Sequence, residues 1–196
     1  MATRYETPIV SESLLASLQR AALRGVGAAL VLGALLLAVA LALHDPGDPS
    51  WNHATATAVG SPGAVASDLL FQLFGLAAWL LPLTLAAWAL RLLLLAPHPR
   101  PLLPATFLPL ALLAVPAALA DSALMGRLAG DGLPGGLVGY ELWSRLALPL
   151  GDGLYDLVSL ALALAATAVA LGLLPGQTWQ GARRGAALLT AVARRG

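Results

Sequence analysis

The sequence predicts an all-α membrane protein: four transmembrane helices, interfacial amphipathic helices beside them, and both termini in the cytoplasm. Three observations predict it. The 196 residues are 59% hydrophobic and only 11% charged, against roughly 25% charged in soluble domains. The apolar residues fall into four charge-free blocks, each close to the ~20 helical residues that cross about 30 Å of hydrocarbon. The charges between the blocks segregate by side, as the positive-inside rule requires.

The first element is the N-terminal arm, residues 1–24. From Pro8 to Arg24, Leu14, Leu15, Leu18 and Ala22 recur at helical spacing, with Glu12, Gln19 and Arg20 elsewhere around the wheel. This is the pattern of a short amphipathic helix lying on the membrane and running into the first span, with Ser11 placed to cap it. A docking helix for a partner is the sharper reading of the same pattern.

The first span covers 25–43. Ala40-Leu41-Ala42 near its end has the small-x-small form of a signal-peptide cleavage site. The preceding 24 residues and their acids, and the length of the apolar run, argue for a retained span instead. The loop 44–68 opens with HDPGDPSWNHATA. His44, Asp45, Asp48 and His53 offer metal-ligand chemistry, but Pro46 and Pro49 fix the backbone and the aspartates suit turn positions. Trp51 reads as an interfacial anchor. The expected metal, catalytic and cofactor residues are therefore none.

The second span covers 69–90 and the third 102–120. Pro82, Pro104, Pro109 and Pro116 lie within them, tolerable where neighbouring helices cover the freed carbonyls, at the cost of kinks. The third span, with three internal prolines and Pro101 before it, reads as the least regular. The loop 121–156 contains the turn-forming run Gly130 to Gly136, then LVGYELWSRLAL from Leu137 to Leu148. That run reads as an outward-side interfacial helix. Glu141 and Arg145 pair one turn apart, Val138, Leu142 and Leu146 share a face, and Tyr140 and Trp143 sit at headgroup level.

The fourth span covers 157–174, and residues 175–196 form a basic tail. There Trp179 anchors the interface, Arg183 and Arg184 attract anionic headgroups, and Leu188, Leu189 and Val192 supply an apolar face. The tail ends without a closing structure, which suggests a boundary where a linker begins.

Charge sets the orientation. Arg4, Arg20, Arg24, Arg91, Arg100, Arg183, Arg184, Arg194 and Arg195 fall on one side with Glu6 and Glu12, a balance of +7. The other side carries Arg127 and Arg145 against Asp45, Asp48, Asp68, Asp121, Asp131, Glu141, Asp152 and Asp156, a balance of −6. The two sum to the chain's +1. The arginine-rich side is expected in the cytoplasm, and four spans return the chain to its starting side.

Several function classes are disfavoured. There is no cysteine for disulfides or thiolate chemistry. The spans hold no ionisable side chain, whereas proton relays and most ion carriers need one at depth. Only Gln72, Thr84, Thr106, Ser159 and Thr167 are polar there, residues that more often bridge helices than handle substrates. With no lysine, no GxxxxGK[ST] phosphate loop can form.

One resemblance covers Asp45 to Leu83 strongly and the remainder in architecture. Asp45, Pro46, Asp48, Pro49 and Ser50 follow the first span; Gly63, Asp68, Leu70, Phe74, Gly75 and Pro82 lead into and through the second. This order resembles the N-terminal four-helix transmembrane domain of the FtsK/SpoIIIE family of bacterial DNA translocases. Ser67 stands where that pattern has alanine. The resemblance implies a non-enzymatic membrane anchor and divisome-interaction domain, in the bacterial inner membrane at the division septum. It implies contacts with the lipid bilayer and other cell-division proteins, and homo-oligomers formed through the full-length motor. ATP and magnesium belong to that motor, and no nucleic acid binds this segment directly. The alternative from another class is a small four-span carrier or channel subunit.

Overall fold

The computed structural model describes residues 12–44, 62–94, 102–120 and 133–173. Among them every regular element is helical. We number these α1 (Glu12–Ala42), α2 (Pro62–Phe74), α3 (Leu80–Leu93), α4 (Leu102–Leu119), α5 (Gly136–Leu150) and α6 (Asp152–Ala170), with a 3-10 segment, Gly75–Trp79, between α2 and α3. Four stretches are long and apolar enough to cross a bilayer: Ser13–Ala42, Pro62–Leu93, Leu102–Leu119 and Asp152–Ala170.

The four expected spans are thus present, with different ends. The arm and first span are one uninterrupted helix of 31 residues, so the amphipathic stretch before Arg24 is no separate element. Nothing between Glu12 and Ala42 breaks it, since Gly25, Gly27 and Gly33 are isolated glycines, each costing about 1 kcal/mol or less in a helix. Ser11 lies outside the described residues. The second span enters at Pro62 instead of Leu69. The fourth runs Asp152–Ala170: it starts five residues earlier than 157, because Asp152 sits favourably at the positive end of the helix dipole. It stops at Ala170 because Gly172, at φ +72°, takes the left-handed position. Leu173 N–H donates to Ala168 O and Gly172 N–H to Val169 O, a Schellman cap.

The irregular span is the second, not the third. α4 holds Pro109 and Pro116 inside a single helix, and Pro104 falls in its first turn, where a missing N–H is no loss. The 3-10 break in the second span starts at Gly75, whose φ is +57°. Pro82 then lies in the first turn of α3, so the break at Gly75 accommodates Pro82 as well.

Helices α1 and α3 pack as one pair and α4 and α6 as another. The core is built of small residues: Ala77, Ala78, Ala89, Ala111, Ala166 and Ala170 are buried, while Leu36, Leu157 and Leu164 are more than 60% exposed. That is the inverse of a water-soluble protein. In lipid, leucine gains nothing by leaving the acyl chains, and association depends on the close backbone approach that alanine and glycine allow.

Candidate functional site

The chemistry of this molecule lies at two places where the helix pairs are joined. At the first, the stretch Leu133–Gly136 inserts against the break in the second span. A left-handed Gly75 turns the chain so that Leu76 N–H points away from its own helix and donates to Pro134 O at 2.9 Å. A backbone donor freed inside lipid must find such a partner, because an unsatisfied one costs several kcal/mol. Space is the second requirement. A Cβ on Gly136 would lie 2.6 Å from Leu73 C, Leu73 O and Gly75 N, and one on Gly75 would strike Pro134 O. Gly135 and Gly139 press in the same way onto the Pro116 carbonyl of α4. Four glycines therefore form a clasp joining α2, α4 and α5.

Below the clasp, Tyr155 of α6 is buried and its hydroxyl donates to Ala117 O at 3.0 Å. Ala117, Ala147 and Tyr155 form a cluster against which Leu142 and Trp143 pack. The packing face of α5 is thus Gly136, Gly139 and Ala147, with Leu142 and Trp143 beside it; Leu146, expected on that face, is 43% exposed. The small residues bury because only they permit contact with a backbone carbonyl. Tyr155→Phe leaves Ala117 O with only the 3.3 Å bond from Ala120 N–H and is expected to cost about 1 kcal/mol, read as earlier thermal unfolding in detergent with an unchanged helical spectrum.

At the second junction, two α3 side chains hold the C-terminal end of α6. Trp88 Nε1–H donates to Ala170 O at 2.8 Å, and Arg91 Nη2 donates to Gly172 O at 2.7 Å. Ala170 O is among the carbonyls a helix leaves unsatisfied, Gly172 O lies just beyond the helix end, and the cation meets the negative end of the dipole. The guanidinium lies directly over Gly172, where a Cβ would be 3.1 Å from its Cζ.

Among the expected motif residues, Asp68 accepts from Gln72 Nε2 at 2.8 Å along α2. Gly63 is half-buried near the start of that helix, and Phe74 is its last residue. Pro82 is buried in α3, and Gly75 is the hinge of the clasp. Asp45, Pro46, Asp48, Pro49, Ser50 and Trp51 lie outside the described residues, as do Trp179, Arg183 and Arg184. His44 borders that region: its ring stacks on Phe71 at 4.8 Å, and Nδ1 is 3.4 Å from Ser67 Oγ. Ser67, the position at which the family pattern has alanine, is fully buried there.

Of the span residues expected to bridge helices, Thr84, Thr106 and Ser159 do not do so in the described hydrogen bonds. Thr84 Oγ1 donates to Leu80 O and Leu81 O, Thr106 to Leu103 O, and Ser159 to Asp156 O, each within its own turn. The bridging falls to Trp88, Arg91 and Tyr155, beside the Ser67–His44 contact. Among the described residues, no three His, Cys, Asp or Glu side chains gather as a metal site. Glu141 and Arg145 do pair, at 2.8 Å, on an open face. Glu141→Gln is expected to change stability by less than ~0.5 kcal/mol, and a shift in detergent unfolding comparable to that of Tyr155→Phe would contradict this.

An all-helical bundle of four apolar spans with a small-residue core defines a multi-pass membrane domain. Residues 19–185 match the family described as the 4TM region of DNA translocase FtsK/SpoIIIE, and the chain belongs to that family. It is 42% identical over 66 residues to the DNA translocase FtsK of Pseudomonas aeruginosa, covering 30% of this chain and 8% of that protein. It is 39% identical over 67 residues to the DNA translocase FtsK of Pseudomonas syringae pv. syringae, with the same coverage. The match thus spans only a small part of these curated relatives. No solved structure matches.

Proposed function

We propose that this chain is the membrane anchor and divisome-interaction domain of an FtsK-like DNA translocase that couples cell division to chromosome segregation. The reading rests on the family match over residues 19–185. The domain itself is non-catalytic. It sits in the bacterial inner membrane at the septum, with both termini in the cytoplasm, where residues 175–196 lead toward a motor that uses ATP and magnesium. Its partners are the lipid bilayer and other cell-division proteins; the motor contributes to homo-oligomerisation and handles the DNA.

Two observations favour an anchor over a four-span carrier or channel subunit. The core is alanine and glycine packed backbone to backbone, and the hydroxyls of Thr84 and Ser159 are bonded within their own helices, leaving them poorly placed to coordinate a solute. The test is a chimera in which this chain replaces the matching segment of the Pseudomonas aeruginosa translocase, tagged with a fluorescent protein. A mid-cell band and normal division are expected. A uniform membrane signal with filamentous cells would refute the anchor, and solute flux in reconstituted liposomes would favour the carrier.

A further inference from the structure

Deep in the bundle, Ala111, Ala166 and Ala170 close α4 onto α6. Nearer the Gly151 turn, α5 lies beside both helices, and the three leave an apolar groove of about 190 Å³ between them. Its wall includes Leu113 and Ala114 of α4, Leu142 and Leu146 of α5, and Val158 and Leu162 of α6. Exposure sets this wall apart from the ordinary apolar surface. Leu113, Leu146, Val158 and Leu162 are 42–47% exposed, half-shielded by the groove they form. Leu148 and Leu164, on the far sides of α5 and α6, are 92% and 65% exposed. We propose that the groove is a binding site for one acyl chain of a phospholipid whose headgroup carries a phosphate and a primary ammonium.

The shape and polarity of the groove select a hydrocarbon. It follows α4 from Ala117 to Leu110 and α6 from Tyr155 to Leu162, so it runs ~10 Å along the span axes. One leaflet's acyl chains occupy ~15 Å, half of the hydrocarbon core, and the groove therefore stays within one leaflet. The hydroxyls on its wall are already bonded, Tyr155 to Ala117 O and Ser159 to Asp156 O. Water finds no partner in such a place: an apolar cavity of ~150 Å³ stays dry and takes up a hydrocarbon such as benzene. A peptide segment would strand its backbone N–H and C=O groups against the leucines. An acyl chain brings no polar atom and already lies along the spans.

Charge at the mouth selects the headgroup. Arg145 is one turn from Leu142 and next to Leu146, so it flanks the wall of α5. Its Nε and Nη2 meet Glu141 Oε2 at 2.8 Å, and the guanidinium keeps further donors for a phosphate oxygen. Asp152 and Asp156 lie at the start of α6, and both are exposed. Carboxylates there suit an ammonium that offers N–H donors. A headgroup of net negative charge is disfavoured, because Glu141, Asp152 and Asp156 outnumber Arg145 at this end. Placing the site in the outer leaflet rests on the proposed orientation; the groove and its occupant do not.

Phosphatidylethanolamine carrying a diazirine in its acyl chain tests the site, in liposomes holding the whole chain and in native membranes. After irradiation, Leu113, Leu146 and Leu162 are expected to be labelled at least about fivefold more than Leu148 and Leu164, because packed contacts hold the bound chain in place. The same probe built on phosphatidylglycerol is expected to label the groove about threefold less, the preference that an exposed ion pair supplies. Leu146→Trp fills the groove from a half-exposed position and is expected to lower labelling of Leu113 and Leu162 about fivefold, with Leu164→Trp unchanged. Even labelling of all five leucines, the result for lipid that merely surrounds the bundle, would overturn the proposal. So would equal labelling by the two headgroups, or an unaltered map in Leu146→Trp. Labelling in liposomes that vanishes in native membranes would overturn it as well, since a protein would then occupy the groove. No readout depends on which side holds the termini, so failure here is distinct from failure of the orientation.

Discussion

Gly136→Ala is expected to prevent stable assembly of the bundle. The substitution combines two penalties that cannot be relieved separately. At φ +59° a Cβ is sterically disfavoured, by about 1–2 kcal/mol. The added carbon would also stand 2.6 Å from three backbone atoms of Leu73 and Gly75, none of which can swing aside as a side-chain tip would. Moving the loop away breaks the Leu76 N–H to Pro134 O bond and strands a donor in an apolar setting. The combined loss is about 4 kcal/mol or more, in the range reserved for disrupted buried networks. The readout is the fraction of protein that stays folded in mild detergent. Gly135→Ala, pressed onto Pro116 O, should behave alike, whereas Gly25→Ala, with open space around it, should be neutral or slightly stabilising. Folding of Gly136→Ala at the wild-type level would remove the clasp from this description.

Arg91→Ala is expected to release the C-terminal end of α6. Its guanidinium donates to Gly172 O at 2.7 Å, and a hydrogen bond to a charged group contributes about 1.5–3 kcal/mol. Arg91→Lys keeps the charge beside the helix dipole but loses the planar group that lies over Gly172, so partial retention is expected. Trp88→Phe removes the neighbouring bond to Ala170 O, at about 1 kcal/mol. The two substitutions act on one helix end, so the double variant should deviate from additivity. Hydrogen exchange at Leu171, Gly172 and Leu173 reads this directly, through the amides of the Schellman cap. Faster exchange confined to that end is the expected result, and unchanged exchange in Arg91→Ala would contradict it.

The sequence made some of this legible and concealed the rest for physical reasons. Span number and order follow from charge-free runs of bilayer length, and the helical stretch 137–148 was recognisable from its periodicity. The stop at Gly172 had a readable signal, a glycine followed by Pro175, but the charge-free apolar run extends past it and places the end at 174. Prolines pointed to the wrong irregular span: Pro109 and Pro116 are carried by an intact helix, while Gly75, with Pro82 seven residues on, marks the true break. The clasp could not be read locally. It joins Gly75 to Gly136 across 61 positions, and close backbone approach leaves no mark except glycine, which also occurs in ordinary turns. Arg91 was counted for its charge, which sets orientation; that it also donates to a helix end depends on tertiary placement.

The claim at the centre of the proposed function is a four-span anchor whose two ends share the cytoplasm. Single cysteines at Ser13, Asn52 and Gly176 of the otherwise cysteine-free chain test it with a membrane-impermeant maleimide on spheroplasts. The expected result is immediate labelling at Asn52 alone, with Ser13 and Gly176 reacting only after permeabilisation. Labelling of Ser13 or Gly176 in intact spheroplasts would contradict it.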